Sequence, residues 1–158
     1  MNPTETVRAA TASGALGEPG FSAWRAFLRA HSRLMRELGE EMRDRHGVGL
    51  GDFDVLAQLG EAPEGRLRMC DLAAAVVLSP SGLSRRVDRL ERQGLVARAR
   101  GETDARSIEA SLTPSGVKLL RRLLASHLAG VNERFADRFS AAELRTLSEL
   151  LPRLSKTD

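Results

Sequence analysis

The sequence has a single cysteine, Cys70, in 158 residues. An internal disulfide is excluded, and with it any metal site built from several thiolates. Long apolar runs are also missing: none approaches the roughly 20 residues that span a bilayer, and residues 1–20 lack the apolar core of a signal peptide. The three histidines, His31, His46 and His127, are too scattered for a local ligand motif. No glycine-rich phosphate loop, HExxH or GxSxG occurs. Lysine is scarce, 2 against 22 arginines, a ratio that a GC-rich genome explains as readily as function. What is present is globular composition, 42% hydrophobic and 28% charged, in a length that suits one domain. The expectation is a soluble, cytoplasmic chain with no metal, cofactor or membrane partner.

The formal charge of +3 hides an uneven distribution. Residues 1–65 carry a net −3, residues 66–106 a net +4 and residues 107–158 a net +2. A basic segment inside an otherwise balanced chain is an electrostatic footprint for a polyanion, nucleic acid first. A solvated face with spare arginines would give the same arithmetic, so pattern has to decide.

Residues 1–20, rich in Ala, Thr, Gly, Pro and Glu, read as a flexible tail. From there Phe21, Trp24, Phe27, Leu28, His31, Leu34, Met35, Leu38 and Met42 recur at spacings of three and four, which predicts a long amphipathic helix ending near His46. A shorter helix follows over residues 52–59, with Phe53, Leu56 and Leu59 on one face. Residues 61–65 are a turn by composition. Residues 68–76 predict a third helix carrying Leu72, Ala73 and Val76. Ser79-Pro80 opens a fourth, an N-cap followed by a proline at the first helical position. It runs through Leu83, Val87 and Leu90 and stops at Gly94. Two extended runs, 95–100 and 107–112, flank a polar hairpin tip at 101–106; the second alternates through Ile108, Ala110 and Leu112. Thr113-Pro114 repeats the cap-and-proline start, and Val117, Leu120, Leu123, Leu124, Leu128 and Val131 form a stripe that Phe135 and Phe139 could extend. Ser140 to Glu143 is a capping box before Leu144, Leu147, Leu150, Leu151 and Leu154. The order is four helices, a two-stranded hairpin and two helices.

Two helices joined by a tight turn and followed by a charged hairpin make a winged helix-turn-helix. The fold expected is thus mainly α with a small β-wing, a DNA-binding lobe over about residues 50–112 and dimerisation helices over about 21–46 and 114–155, all one domain. With Leu83, Val87 and Leu90 inward, Ser81, Ser84, Arg85, Asp88 and Arg89 turn outward and Arg86 lies near the boundary. Ser79, Ser81 and Ser84 place small hydroxyls at the helix end that enters a major groove, where free backbone N–H groups also hold phosphate. Arg85 and Arg86 supply a guanidinium fork that matches a guanine edge or two phosphate oxygens. The competing reading is a solvated face laced by Asp88–Arg92 and Arg85–Arg89 neighbours. On the wing, Arg98 and Arg100 share a side of the first strand, and Arg106 sits at the tip, where an arginine can enter a minor groove. Asp104 would be repelled by phosphate and is expected to orient Arg106 or cap the turn.

The runs Asp71-Leu-Ala, Leu78-Ser-Pro-Ser-Gly-Leu-Ser-Arg-Arg-Val-Asp-Arg-Leu-Glu-Arg-Gln-Gly-Leu-Val96, Asp104-Ala-Arg106 and Leu112-Thr-Pro-Ser-Gly116 together resemble the MarR family of bacterial transcription regulators, over about residues 21–155. The resemblance implies a homodimer of winged helix-turn-helix subunits on a pseudopalindromic operator of double-stranded DNA, usually a repressor released by a small molecule. Carried over by position, Ser79, Ser81, Ser84, Arg85 and Arg86 face the major groove, Arg106 is the minor-groove arginine and Asp104 supports it. The family commonly has an apolar residue at position 86, where this chain has arginine.

Dimerisation also follows from the residues. The first and last helices carry apolar stripes wider than a small wing domain can cover, and such helices are marginal alone in water. Trp24, Phe27 and His31, with Phe53 on the second helix, could line an effector pocket for an aromatic or lipophilic anion; ordinary core packing with one satisfied histidine is the favoured account of them, although relatives in the resembled family bind aromatic anions near this junction. Cys70 precedes an acid near a helix start, and a buried structural thiol is expected over a redox sensor; the resembled peroxide sensors place their cysteine in the first helix, where this chain has none. An enzyme is not expected, since His31 with Glu37 and His127 with Glu133 are each six residues apart and do not share a helix face. A protein-binding adaptor with this shape would have no need of the serine–arginine surface.

Overall fold

A computed structural model describes residues 18–76, 79–101 and 107–154. The chain divides into two units, Met1–Glu37 and Leu38–Asp158. The elements are α1 (Glu18–His46), α2 (Leu50–Glu61), β1 (Arg66–Arg68), α3 (Met69–Ala75), α4 (Pro80–Arg92), β2 (Val96–Arg100), β3 (Ile108–Leu112), α5 (Pro114–Arg134) and α6 (Ala141–Leu150). Short 3-10 turns occupy Pro63–Gly65, Ala136–Arg138 and Leu151–Leu154. Helix α1 begins three residues before the expected start, so Glu18, Pro19 and Gly20 belong to it and not to a tail. The stripe of α5 ends at Arg134, and Phe135 and Phe139 flank the following 3-10 turn with their rings 5.4 Å apart.

The first unit contributes the leading part of α1. Its aromatic residues, three and four apart, stack along one side: Trp24 and Phe27 have ring centroids 6.1 Å apart, and Phe27 and His31 also 6.1 Å. Arg33 donates to Glu37 one turn on, at 2.7 Å, a helical i,i+4 pair.

The second unit holds the core. Met42, Phe53, Val55, Leu56, Leu59, Leu72, Val76, Leu83, Val87, Leu90, Val96, Ala110, Leu119, Leu120 and Leu123 pack into one apolar cluster. Three antiparallel strands lie in the order β1-β3-β2. Val96 pairs with Leu112 and Arg100 with Ile108, while Leu67 of β1 pairs with Ala110. The hairpin was expected with two strands. The third, Arg66–Arg68, is too short to show an alternation, and its pairing with β3 depends on the turn at Pro63–Gly65, which has positive φ at Glu64 and Gly65. Ile108 departs from the expected inward alternation: it is exposed, because it pairs with Arg100 toward the outer end of the hairpin, while Ala110 enters the core.

The Leu-Thr-Pro-x-Gly run has a local cause. Thr113 Oγ1 accepts from the Gly116 amide at 3.0 Å, capping α5, and donates to the Gly94 carbonyl at 2.6 Å. A Cβ at Gly116 would stand 2.1 Å from the Leu95 carbonyl oxygen, so α5 can begin this close to the end of α4 only with glycine there. Gly94 itself has φ +68°, as expected of a residue that ends a helix in the left-handed region. At the other end of α5, Arg134 pairs with Glu41 of α1 at 2.8 Å.

Candidate nucleic-acid interface

Helix α4 is the element that the sequence offered as a DNA reader. Gly82 N donates to Ser79 Oγ at 3.2 Å, so the serine caps the helix, and Pro80 fills its first position. Leu83, Val87 and Leu90 are buried to 1% exposure or less, which fixes which face is left over. That face presents Ser81, Ser84 and Arg85, all exposed, next to the unpaired amides of the first turn. Ser79 and Ser81 hydroxyls lie 3.4 Å apart. Arg85 folds back to donate from Nε to the Ser81 carbonyl at 3.3 Å, and among the described residues it has no acidic partner.

The other arginines are differently employed. Arg86 Nη1 donates to Asp52 Oδ1 at 3.2 Å, and Arg89 Nη2 donates to the same oxygen. Asp52 sits in the first turn of α2 and is buried. The side chain of Arg86 lies across Gly51, where a Cβ would meet its guanidinium at 2.4 Å. On the wing, Arg98 donates from Nε to Glu91 at 2.9 Å and pairs with Asp88 at 2.7 Å, so β2 is tied to the far side of α4. Hydrogen bonds from Arg98 hold the Glu91 carboxyl below its usual range, and Glu91 in turn raises Arg98. Asp88 was expected on the outward face but not as a partner of Arg98, and Asp52 and Glu91 were missed as members of this surface. Asp88 and Glu91 share a face of α4 three residues apart, a signal that could have been used; Asp52 is separated from its partners by more than thirty residues and left no local trace. Arg100 is exposed near the end of β2. Arg106 and Asp104 lie outside the described residues.

The candidate effector residues divide between the two units. Trp24, Phe27 and His31 form the stacked row on α1. Phe53 is buried in the second unit with its ring 4.8 Å from that of His127. Burial lowers the pKa of His127. Cys70 is exposed, contrary to the expected buried thiol, because Leu72 takes the core-facing position of α3 and Cys70 points to solvent with Sγ 3.6 Å from Asp71 Oδ1. Among the described residues no cluster of His, Cys, Asp or Glu could hold a metal, and no helix is long and apolar enough to cross a membrane.

A capped helix following α2 and α3, exposed on one side and buttressed by a β-hairpin, defines a winged helix-turn-helix protein. A MarR family model matches residues 46–107. The fold superposes on AbsC, a MarR family transcriptional regulator from Streptomyces coelicolor, with TM-score 0.82 and 31% identity, covering 89% of this chain and 94% of that one. Sco3205, a MarR family regulator from the same organism solved in complex with DNA, gives TM-score 0.82 and 30% identity over 89% of this chain and 88% of that one. The HTH-type transcriptional repressor YetL of Bacillus subtilis is 28% identical over 78% of this chain and 76% of its own length. The chain belongs to the MarR family of transcriptional regulators. The matched proteins are named as regulators, in agreement with the expectation that this chain is not an enzyme.

Proposed function

We propose that this protein is a cytoplasmic, homodimeric repressor that reads a pseudopalindromic operator through α4 and is released from it by a small aromatic or lipophilic ligand. The observation that carries the reading is the exposed start of α4, where the Ser79 cap, Ser81, Ser84 and the acid-free guanidinium of Arg85 stand together on a helix locked in place by three buried side chains. Hydroxyls and a guanidinium fork at a helix N-terminus suit base edges and phosphates of a major groove. Arg106 at the wing tip is assigned to the adjacent minor groove, with Asp104 orienting it. Phosphate contacts then supply most of the affinity and its salt dependence, and α4 supplies sequence choice.

Dimerisation is supported by apolar residues that this chain leaves uncovered. Trp24, Phe27, Leu28 and Met35 are exposed on α1, and Leu124, Leu128, Leu150, Leu151 and Leu154 on the last helices. Large apolar side chains left exposed on each set of helices suit an association site, and a two-fold axis would set two copies of α4 about one DNA turn, roughly 34 Å, apart. A ligand bound against the aromatic row would act by favouring a dimer whose spacing no longer matches the half-sites.

Selection of bound fragments from the host's own DNA, followed by fluorescence anisotropy on the enriched sequence, tests the reading. Arg85→Ala should cost about 1–3 kcal/mol and relax preference at one base pair per half-site. An equal loss on every sequence would make Arg85 a phosphate contact, and failure to hold any duplex at low ionic strength would overturn the proposal. A thermal-shift screen of aromatic acids tests the ligand; no shift with any of them would remove that part.

A further inference from the structure

Among the described residues Asp52 is the buried charged side chain, and it spends its carboxylate on two arginines of the recognition helix. We propose that Asp52 is a specificity-determining residue: it withholds Arg86 and Arg89 from phosphate, keeping α4 fixed in orientation and weak on DNA of the wrong sequence. The inference rests on the reading of α4 as the DNA-binding helix.

Arg86 and Arg89 are three residues apart, so they share a face of α4, and both reach the same Asp52 oxygen. The Arg86 side chain is 27% exposed and that of Arg89 48%, so neither is sealed in the core. Without a competing carboxylate, either could swing to a duplex laid on the neighbouring serines. A guanidinium on phosphate carries no sequence information, and each such contact steepens the dependence of log affinity on log salt by about 0.9. Two released arginines would add affinity that does not depend on sequence, and α4, no longer tied to α2 through Asp52, could settle on phosphate in registers that do not match the operator; random DNA then gains more than the operator, which lowers discrimination. The site is built for retention. Gly51 leaves the space that the Arg86 guanidinium fills, and Asp52 in the first turn of α2 lies where the helix dipole stabilises a carboxylate. The wing repeats the arrangement, with Asp88 and Glu91 occupying Arg98. Of the four arginines on α4, those without a carboxylate partner among the described residues are thereby narrowed to Arg85 at the helix start and Arg92 at its end, and only Arg85 stands beside the exposed serines.

The test measures salt dependence of binding to the selected operator and to a random duplex of equal length. Asp52→Asn, close in shape, should bind the random duplex more tightly and with a slope steeper by about one to two units, while the operator-to-random ratio falls about tenfold. A purely structural Asp52 would lower affinity for both duplexes without steepening the slope, and that result, or an unchanged slope and ratio in a folded variant, would overturn the proposal. In the double variant Asp52→Asn with Arg89→Gln the increase in slope should be cut by about half. If Asp52→Asn does not fold, Arg89→Gln alone decides: its slope on random DNA should stay within about half a unit of the parent, and a fall of about one unit would mean that Arg89 already contacts phosphate. Wild-type protein that binds neither duplex would instead remove the DNA-binding reading of α4 itself.

Discussion

Leu83, Val87 and Leu90 on α4 are exposed by 1% or less, while Leu128 on α5 and Leu154 after α6 are exposed by 64% and 73%. The same helical spacing placed all of them in apolar stripes. The difference is that the reading lobe closes its stripe with α2, α3, the sheet and the start of α5, whereas among the described residues the stripes on the later part of α5 and after α6 are left partly uncovered. One region is finished as a folded object by its own sequence. Under the proposed dimerisation the other is finished by association, and its apolar residues should show up in the oligomeric state before they show up in the core.

The contrast breaks most sharply at the centre of the lobe. Leu90→Ala should destabilise the fold by about 2–5 kcal/mol in chemical denaturation, because the cavity is walled by fixed neighbours; a loss below about 1 kcal/mol would mean that the lobe can collapse around the gap. Leu128→Asp should leave the lobe folded by circular dichroism but shift sedimentation toward the 17 kDa chain, with at least a tenfold rise in the dimer dissociation constant, about 1.4 kcal/mol. Unchanged sedimentation would place the association surface elsewhere. Removing a cap should cost less: Ser140→Ala loses the side-chain half of the capping box on α6, while the backbone N–H at position 140 can still donate to Glu143, and should cost about 1 kcal/mol. The smallest effect is a pH dependence. Burial holds His127 below its ordinary value near 6.5, so the unfolded chain takes up the proton first. His127 thus contributes stability that is fully present above about pH 6.5 and is lost as pH falls through that value toward the folded one. Melting temperature should drop more steeply between pH 7 and 5.5 in the parent than in His127→Gln; parallel curves would discount this histidine.

The elements were legible because each carries its own punctuation. Ser79-Pro80, Thr113-Pro114 and the Ser140–Glu143 box marked helix starts that the hydrogen bonds bear out, and Gly94 marked a stop with positive φ. β1 escaped because three residues have no period, and Ile108 was misassigned because a strand can run beyond the layer that buries it. Within the candidate site, the outward serines and Arg85 were readable from α4 alone. What the remaining arginines do was not. Arg86, Arg89 and Arg98 looked like free positive charge, and their partners Asp52, Asp88 and Glu91 are identified only when α2, α4 and β2 are brought together.

Local sequence thus settled where helices begin and end, which of their faces are apolar, and that the middle of the chain is basic, since capping, periodicity and formal charge act over a few residues. Tertiary structure decided which apolar faces this chain covers for itself and which arginines remain available, since burial and ion pairing depend on what distant segments place alongside. A count of charges along the chain is blind to a carboxylate folded beneath two of them.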